Sequence, residues 1–194
     1  MSRSKILPFL AVSGLAVTLA GCDRQTPPDT QQKEEGAPAA SAELTGKIDR
    51  SHAGEKLPDL TFPDPYGKQL ALQSLAGTPV LVNLWATWCA PCKAEMPTLD
   101  RIAGDEAGKL RVVTVSEDMM GAEVVAPWFA AQHFAHLEPW LDTEGDLGFA
   151  VGKGDSVLPT TVLYDAAGKE VWRVVGGYDW SSAKARGEVA EVLQ

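Results

Sequence analysis

The chain has 194 residues, a formal net charge of −9 at neutral pH and an apolar content of 45%. This excess of acidic residues argues against nucleic-acid binding and against docking on anionic lipid through basic patches. With only three cysteines, the chain is not a disulfide-dense scaffold, so the position and spacing of each cysteine must indicate its role.

Residues 1–21 predict an export signal. Arg3 and Lys5 precede an apolar stretch over residues 6–20. This stretch is shorter than the roughly 20 residues that a membrane-spanning helix requires, and small residues follow it. A retained anchor helix is the alternative interpretation.

The next residues indicate lipidation. The sequence LAGC at Leu19–Cys22 resembles the cleavage box of bacterial lipoproteins. This resemblance implies that Cys22 carries acyl chains and becomes the first residue of the mature protein. Two or three acyl chains attach a protein stably to a membrane. Asp23 resembles the signal for retention in the inner membrane of Gram-negative bacteria. We therefore expect a lipid-anchored protein at the periplasmic face of that membrane.

Residues 22–55 predict a flexible, lipidated tether. They are rich in Pro, Gln, Glu, Ala and Ser and show no apolar periodicity, so they cannot bury enough surface to offset their ordering entropy. A coil of this length has a reach on the order of 30 Å. From residue 56 to residue 194 the composition becomes globular and suits one domain, which contains all six tryptophans.

Strands and helices alternate along this domain. The predicted elements, in chain order, are a hairpin of 59–62 and 68–72, a buried strand at 79–86, a helix at 90–103, a strand at 109–117, a helix at 122–134, a short strand at 137–142, a second hairpin of 160–165 and 170–175, and an amphipathic helix at 181–194. This alternation predicts an α/β fold in which helices cover both faces of a sheet.

Cys89 and Cys92 form a CxxC motif that follows the buried strand and opens a helix. Free N–H groups and the helix dipole at that terminus favour a thiolate at Cys89. Pro91 suits the first helical turn, where its missing N–H costs little. Cys92 lies on the same face and can close a small disulfide ring. One sulfur can attack a partner's disulfide while the other resolves it, so a redox pair is the favoured interpretation.

A structural disulfide and a metal site are the alternatives. A disulfide that closes so small a loop constrains the unfolded chain little. A zinc site requires two further ligands, and the chain offers only His52, His133 and His136, the first of them in the predicted tether. We expect no metal. Met119 and Met120 are assigned to core or loop packing.

Two stretches resemble the thioredoxin superfamily: VLVNLWATWCAPCKAEMPTLD at 80–100 and LPTTVLYDAAGKEV at 158–171. Within it, the chain resembles the membrane-anchored TlpA/ResA-like thiol–disulfide reductases, and the closing GGYDWSSAKA favours TlpA. The resemblance covers residues 57–194. It implies a thioredoxin-like fold with an N-terminal β-hairpin and an inserted helix–strand segment at 121–142.

The resemblance also implies roles for individual residues. Pro159 matches the cis-proline that faces the CxxC, and this leaves the backbone of Leu158 to pair with an extended client segment. Glu95 matches an acid that carries the proton of Cys92, although its spacing alone equally fits a solvated helix glutamate. Asn83 stands where cytosolic thioredoxins hold a buried Asp. Trp88 is a candidate for shielding the sulfur or contacting a client, with packing as the alternative.

The implied function is the reduction of disulfides in exported proteins, with the Cys89–Cys92 pair as the only redox group and no added cofactor. The implied electron donor is a DsbD/CcdA-type membrane transporter. The implied clients are apocytochromes c or copper chaperones of cytochrome oxidase. A disulfide oxidase or isomerase is one alternative. A Sco-like copper-binding chaperone is another, but that family spaces its cysteines CxxxC.

Overall fold

The computed structural model describes residues 44–193. The predicted signal at 1–21, the lipidation site Cys22 and most of the predicted tether lie outside the described residues. The elements of the described chain are β1 Lys47–Asp49, β2 Thr61–Pro63, β3 Gln69–Ala71, β4 Val80–Trp85, α1 Ala90–Asp105, β5 Arg111–Ser116, α2 Ala122–Gln132, β6 Pro139–Leu141, α3 Asp146–Gly152, β7 Thr160–Tyr164, β8 Glu170–Val175 and α4 Ala183–Ala190.

Six strands form one mixed sheet in the order β1–β8–β7–β4–β5–β6. β4 pairs in parallel with β5, and β5 with β6, whereas β7 is antiparallel to β4. The carboxyl ends of β4, β5 and β6 therefore share one edge with the amino end of β7. The CxxC follows β4 directly, so we name this side of the sheet the redox edge. β2 and β3 form the separate N-terminal hairpin that was predicted.

The central strand β4 is buried on both faces, which explains its continuous apolar run. Leu81 and Trp85 point to the face covered by α1, α2 and α4. Val80, Val82 and Leu84 point to the opposite face, where they pack with the hairpin and α3. Because side chains alternate along a strand, β4 contributes apolar side chains to the cores on both faces of the sheet. Helices cover both faces, so the predicted thioredoxin-like α/β fold is confirmed.

The strand β1 corrects the extent of the predicted tether. Lys47–Asp49 pair antiparallel with β8 at the edge of the sheet. The Arg50 guanidinium forms salt bridges with Glu188 and Glu191 at N–O distances of 2.6 and 2.9 Å. The folded domain therefore includes residues that the sequence placed in the tether of 22–55. Backbone pairing and ion pairs order this segment. Neither interaction requires apolar residues, so a prediction from apolar content does not detect it.

Two short helical segments have no counterpart among the predicted elements: the 3₁₀ helix Leu72–Leu75 and α3. The carboxylate of Asp142 accepts hydrogen bonds from the N–H groups of Asp146 and Leu147 at 3.1 and 2.8 Å, which caps α3 from outside the helix. α4 ends earlier than the predicted helix. Within residues 44–193, no helix has both the length and the apolar character needed to cross a bilayer.

Candidate functional site

Cys89 is the N-cap residue of α1. Its backbone is extended (φ −85°, ψ 104°), and its Sγ accepts a hydrogen bond from the backbone N–H of Cys92 at 3.3 Å. Pro91 lies in the first helical turn, as predicted. The first N–H groups of a helix have no acceptor within it, so they and the dipole stabilise a negative charge on this sulfur. The structure thus confirms the predicted placement of Cys89.

A disulfide bond joins Cys89 and Cys92, whose Cα atoms are 5.3 Å apart. Cys89 is 5% exposed, whereas Cys92 is completely buried. Because only the first cysteine has any contact with solvent, an incoming sulfur can reach Cys89 and not Cys92. Burial therefore indicates that Cys89 is the cysteine that meets the partner's sulfur and that Cys92 reacts only with Cys89.

Glu95 lies one helical turn beyond Cys92 and is completely buried. One of its carboxylate oxygens, Oε1, accepts a hydrogen bond from Asn83 Nδ2 at 2.7 Å. The other, Oε2, accepts hydrogen bonds from the backbone N–H of Tyr178 at 2.9 Å and from Trp180 Nε1 at 3.4 Å. The structure therefore excludes the alternative of a solvated helix glutamate.

Burial raises the pKa of Glu95 from its ordinary value of 4.5 to about 7. Loss of water is the dominant cause, and the hydrogen bonds from Tyr178, Asn83 and Trp180 lower the pKa only in part. A group with such a pKa exchanges its proton near neutral pH. This is the property that a proton carrier beside two cysteines requires.

Asn83 occupies the centre of the sheet, on the same face as α1. Its Nδ2 group donates to Glu95 and also to Thr161 Oγ1 at 2.8 Å, so it links β4 to β7 beneath the CxxC. An amide cannot ionise, so Asn83 positions the carboxylate without competing for its proton.

A second buried carboxylate, Asp118, holds the turn that precedes Cys89. Its Oδ2 accepts from the Thr87 backbone N–H at 2.8 Å and from Ser116 Oγ at 2.7 Å. Its Oδ1 accepts from Thr87 Oγ1 at 2.7 Å. No sequence motif identifies this residue. Asp118 lies two residues beyond β5, the parallel neighbour of β4, and this register is the only sequence signal for it.

The Leu158–Pro159 peptide bond is cis, as the resemblance implied. Neither the N–H nor the C=O group of Leu158 forms a hydrogen bond with another of the described residues. Both groups are therefore available to an extended segment that pairs with them. Trp88 lies next to Cys89 and is 70% exposed, which removes the packing alternative for this side chain.

Comparisons with known proteins agree with this geometry. The Redoxin family model matches residues 52–191. The chain belongs to the Redoxin family. It is 32% identical to the thiol:disulfide interchange protein DsbE of Pseudomonas fluorescens biotype C, over 65% of this chain and 68% of that protein. It is 28% identical to the thiol-disulfide oxidoreductase ResA of Bacillus thuringiensis, over 66% of this chain and 72% of that protein.

A solved structure shows the same fold. The Chlorobium tepidum protein assigned as thiol:disulfide interchange protein DsbE superposes with a TM-score of 0.65 at 26% identity, covering 73% of this chain and 98% of that one. With the CxxC pair at a helix N-terminus, these similarities identify this Redoxin-family member as a thiol–disulfide oxidoreductase of the ResA/DsbE type. At family level, the resemblance to TlpA/ResA-like proteins is confirmed.

Proposed function

We propose that this oxidoreductase works as a reductase on disulfides of exported proteins, held at the periplasmic face of the inner membrane by acyl chains on Cys22. The observation that carries the proposal is the pairing of an N-cap cysteine with a buried acid. Cys89 has solvent access at the start of α1, Cys92 is buried behind it, and Glu95 has a pKa of about 7.

In the first step, the Cys89 thiolate attacks one sulfur of the client disulfide. A bond forms between Cys89 and that sulfur while the client S–S bond breaks, and the second client sulfur leaves as a thiolate that takes a proton from water. The helix terminus favours the attacking anion. Leu158 holds the client segment in an extended form, since the loop before β7 lies next to the end of β4, from which the CxxC follows.

In the second step, the Cys92 thiol loses its proton to the ionised carboxylate of Glu95 and attacks the sulfur of Cys89. The bond between Cys89 and the client sulfur breaks as the Cys89–Cys92 disulfide forms, and the client sulfur leaves as a thiolate that takes a proton from water. The client leaves with both cysteines reduced, and Glu95 returns its proton to solvent. Two electrons pass to the client in total. Residues three apart on a helix have Cβ atoms about 5–6 Å apart, which allows the proton to move directly or through one water.

Each cycle leaves the oxidised pair, which needs two electrons from a donor. A DsbD/CcdA-type membrane transporter is the proposed source, and no cofactor besides the cysteine pair is involved. Apocytochromes c or copper chaperones of cytochrome oxidase are the proposed clients. The relatives named as thiol-disulfide oxidoreductase and thiol:disulfide interchange protein support the reaction class. The predicted signal and the LAGC sequence support the location.

The reduction potential tests the direction of electron flow. We expect a value closer to that of thioredoxin, about −270 mV, than to that of DsbA, about −120 mV. A value near the latter would instead establish a disulfide oxidase. A Cys92→Ser variant in membranes should also accumulate disulfide-linked clients, and a Cys89→Ser variant should accumulate none. Failure of Cys92→Ser to capture any partner would contradict the proposed reductase.

A further inference from the structure

A groove of about 410 Å³ opens beside the redox edge, between β2 and the loops that follow β5 and β6. We name it the methionine groove. It is lined by Leu60, Thr61, Phe62, Pro63, Met119, Met120, Gly121, Ala122, Leu141, Asp142, Thr143, Glu144 and Asp146. None of these residues takes part in the exchange chemistry described above.

Two methionines form one wall of the groove. The backbone N–H of Gly121 donates to the C=O of Asp118 at 2.8 Å, which closes a tight turn with Met119 and Met120 at its centre. Met119 is 87% exposed and Met120 is 58% exposed, which excludes the core packing considered for them. Flexible thioether side chains adapt to partners of different shape. Adjacent exposed apolar side chains beside a reactive group indicate an interaction surface.

The rest of the groove combines an apolar floor with an acidic rim. Phe62 and Leu141 are buried beneath it, while Glu144 and Asp146 are exposed at its edge. The described lining residues include no Lys, Arg or His. A segment that carries both apolar and basic side chains would therefore complement the groove in polarity and in charge.

Asp118 connects the methionine groove to the redox site through hydrogen bonds. Asp118 begins the methionine turn, and its carboxylate accepts two hydrogen bonds from Thr87, which lies two residues before Cys89. An extended chain spans about 3.3–3.6 Å per residue. The path from Cys89 through Thr87 and Asp118 to the methionine turn is on the order of 10–15 Å, so a client segment whose cysteine meets Cys89 would place residues about three to five positions away over the groove.

We propose that the methionine groove binds the segment that flanks the reactive cysteine of a client, and that this segment is extended, apolar and basic. The proposal rests on the proposed reductase function and specifies its substrate class. The groove selects clients by the residues beside their disulfide, whereas the CxxC acts on any disulfide that reaches it. Removing the groove contacts should therefore affect peptide substrates and leave small disulfides unaffected.

The apolar part is tested with three probes: hydroxyethyl disulfide, a disulfide-linked peptide with Leu and Arg four residues from its cysteine, and the same peptide with Ser and Glu there. The double variant Met119→Ser/Met120→Ser should lower kcat/KM for the Leu–Arg peptide about tenfold. Its kcat/KM for hydroxyethyl disulfide should not change. Tyr66→Ser is the matched control, because Tyr66 is 84% exposed and lies outside the groove.

The charged part is tested with Glu144→Lys. This change should reverse the preference between the two peptides and reduce the salt dependence of the reaction with the Leu–Arg peptide. Glu106→Lys is the control, because Glu106 follows the far end of α1, about 25 Å from Cys89 along the helix axis. If the groove variants treat both peptides as the wild type does, the groove proposal is wrong and the reductase stands. If the wild type reduces none of the three probes, the proposed reductase function itself is overturned.

Discussion

At the level of single residues, the burial of Glu95 changes the pH at which its carboxyl group ionises. Its pKa is raised to about 7 because desolvation outweighs the hydrogen bonds that the carboxylate accepts. In the unfolded chain this group ionises near its ordinary value of 4.5. Between these two values the folded state holds a proton that the unfolded state has lost. Glu95 therefore lowers the free energy of unfolding at neutral pH, and this effect is absent below a pH of about 4.5.

The raised pKa of Glu95 makes the stability of the domain depend on pH. As the pH rises from about 4.5 to about 7, Glu95 should reduce the free energy of unfolding by up to about 3 kcal/mol, and the effect should level off above pH 7. Glu95→Gln keeps the shape of the side chain and cannot ionise. Urea unfolding at a series of pH values should show a flatter profile for this variant. Identical slopes for the two proteins would contradict the buried, titrating carboxylate.

Thr87 offers a second test at this level. Its hydroxyl donates to the Asp118 carboxylate at 2.7 Å, and hydrogen bonds to charged groups contribute about 1.5–3 kcal/mol. Thr87→Val preserves the volume and removes the donor, so we expect the free energy of unfolding to fall by about 2 kcal/mol. Thr87→Ser keeps the donor and should lose much less. Equal losses for the two variants in chemical denaturation would show that the hydroxyl does not hold the turn.

At the level of elements, β1 extends the sheet with almost no apolar surface of its own. Gly46 precedes it, and its backbone N–H donates to the C=O of Gly177 at 2.8 Å. A Cβ at position 46 would lie 2.5 Å from the O atom of Gly176 and 2.7 Å from Cγ1 of Val174. Only glycine permits this approach to β8.

We therefore expect Gly46→Ala to destabilise the domain by about 1–3 kcal/mol, because β1 must move away from β8. Gly187→Ala is the matched control. A Cβ at position 187 meets no atom within 4 Å, and alanine is the better helix former within α4 by about 1 kcal/mol. Thermal unfolding should show opposite shifts of Tm for the two variants. A harmless Gly46→Ala would mean that β1 does not pack as described.

The elements also show where sequence patterns carry information and where they do not. The buried strands, both hairpins and α1 were predictable because their signals are local: apolar runs, turn residues and a CxxC with Pro91. β1 was not, because backbone pairing with β8, more than 120 positions away, orders it. α3 was not, because it has only seven residues and its N-cap is Gly145, while the capping carboxylate of Asp142 lies four residues before the helix. The same distinction holds in the site. The spacing of Glu95 from Cys92 was visible, but its donors Tyr178 and Trp180 lie more than 80 positions away.

At the level of the whole molecule, the parallel order of β4, β5 and β6 gathers separate parts of the chain at the redox edge. The CxxC follows β4, Asp118 and the methionine turn follow β5, and the cis-proline precedes β7. None of these parts is close to all the others in sequence. The arrangement brings to one side of the sheet Cys89 and the parts for which we propose a role in client binding, the Leu158–Pro159 loop and the methionine turn.

The central claim is that the start of α1 holds the Cys89 sulfur as an anion ready for exchange. The most direct measurement is the pH dependence of the alkylation rate of Cys89 in the reduced Cys92→Ser variant. We predict that Cys89 ionises below the value of about 8.5 that is typical of a free cysteine. A midpoint at or above 8.5, with no exchange toward small disulfides, would contradict the account.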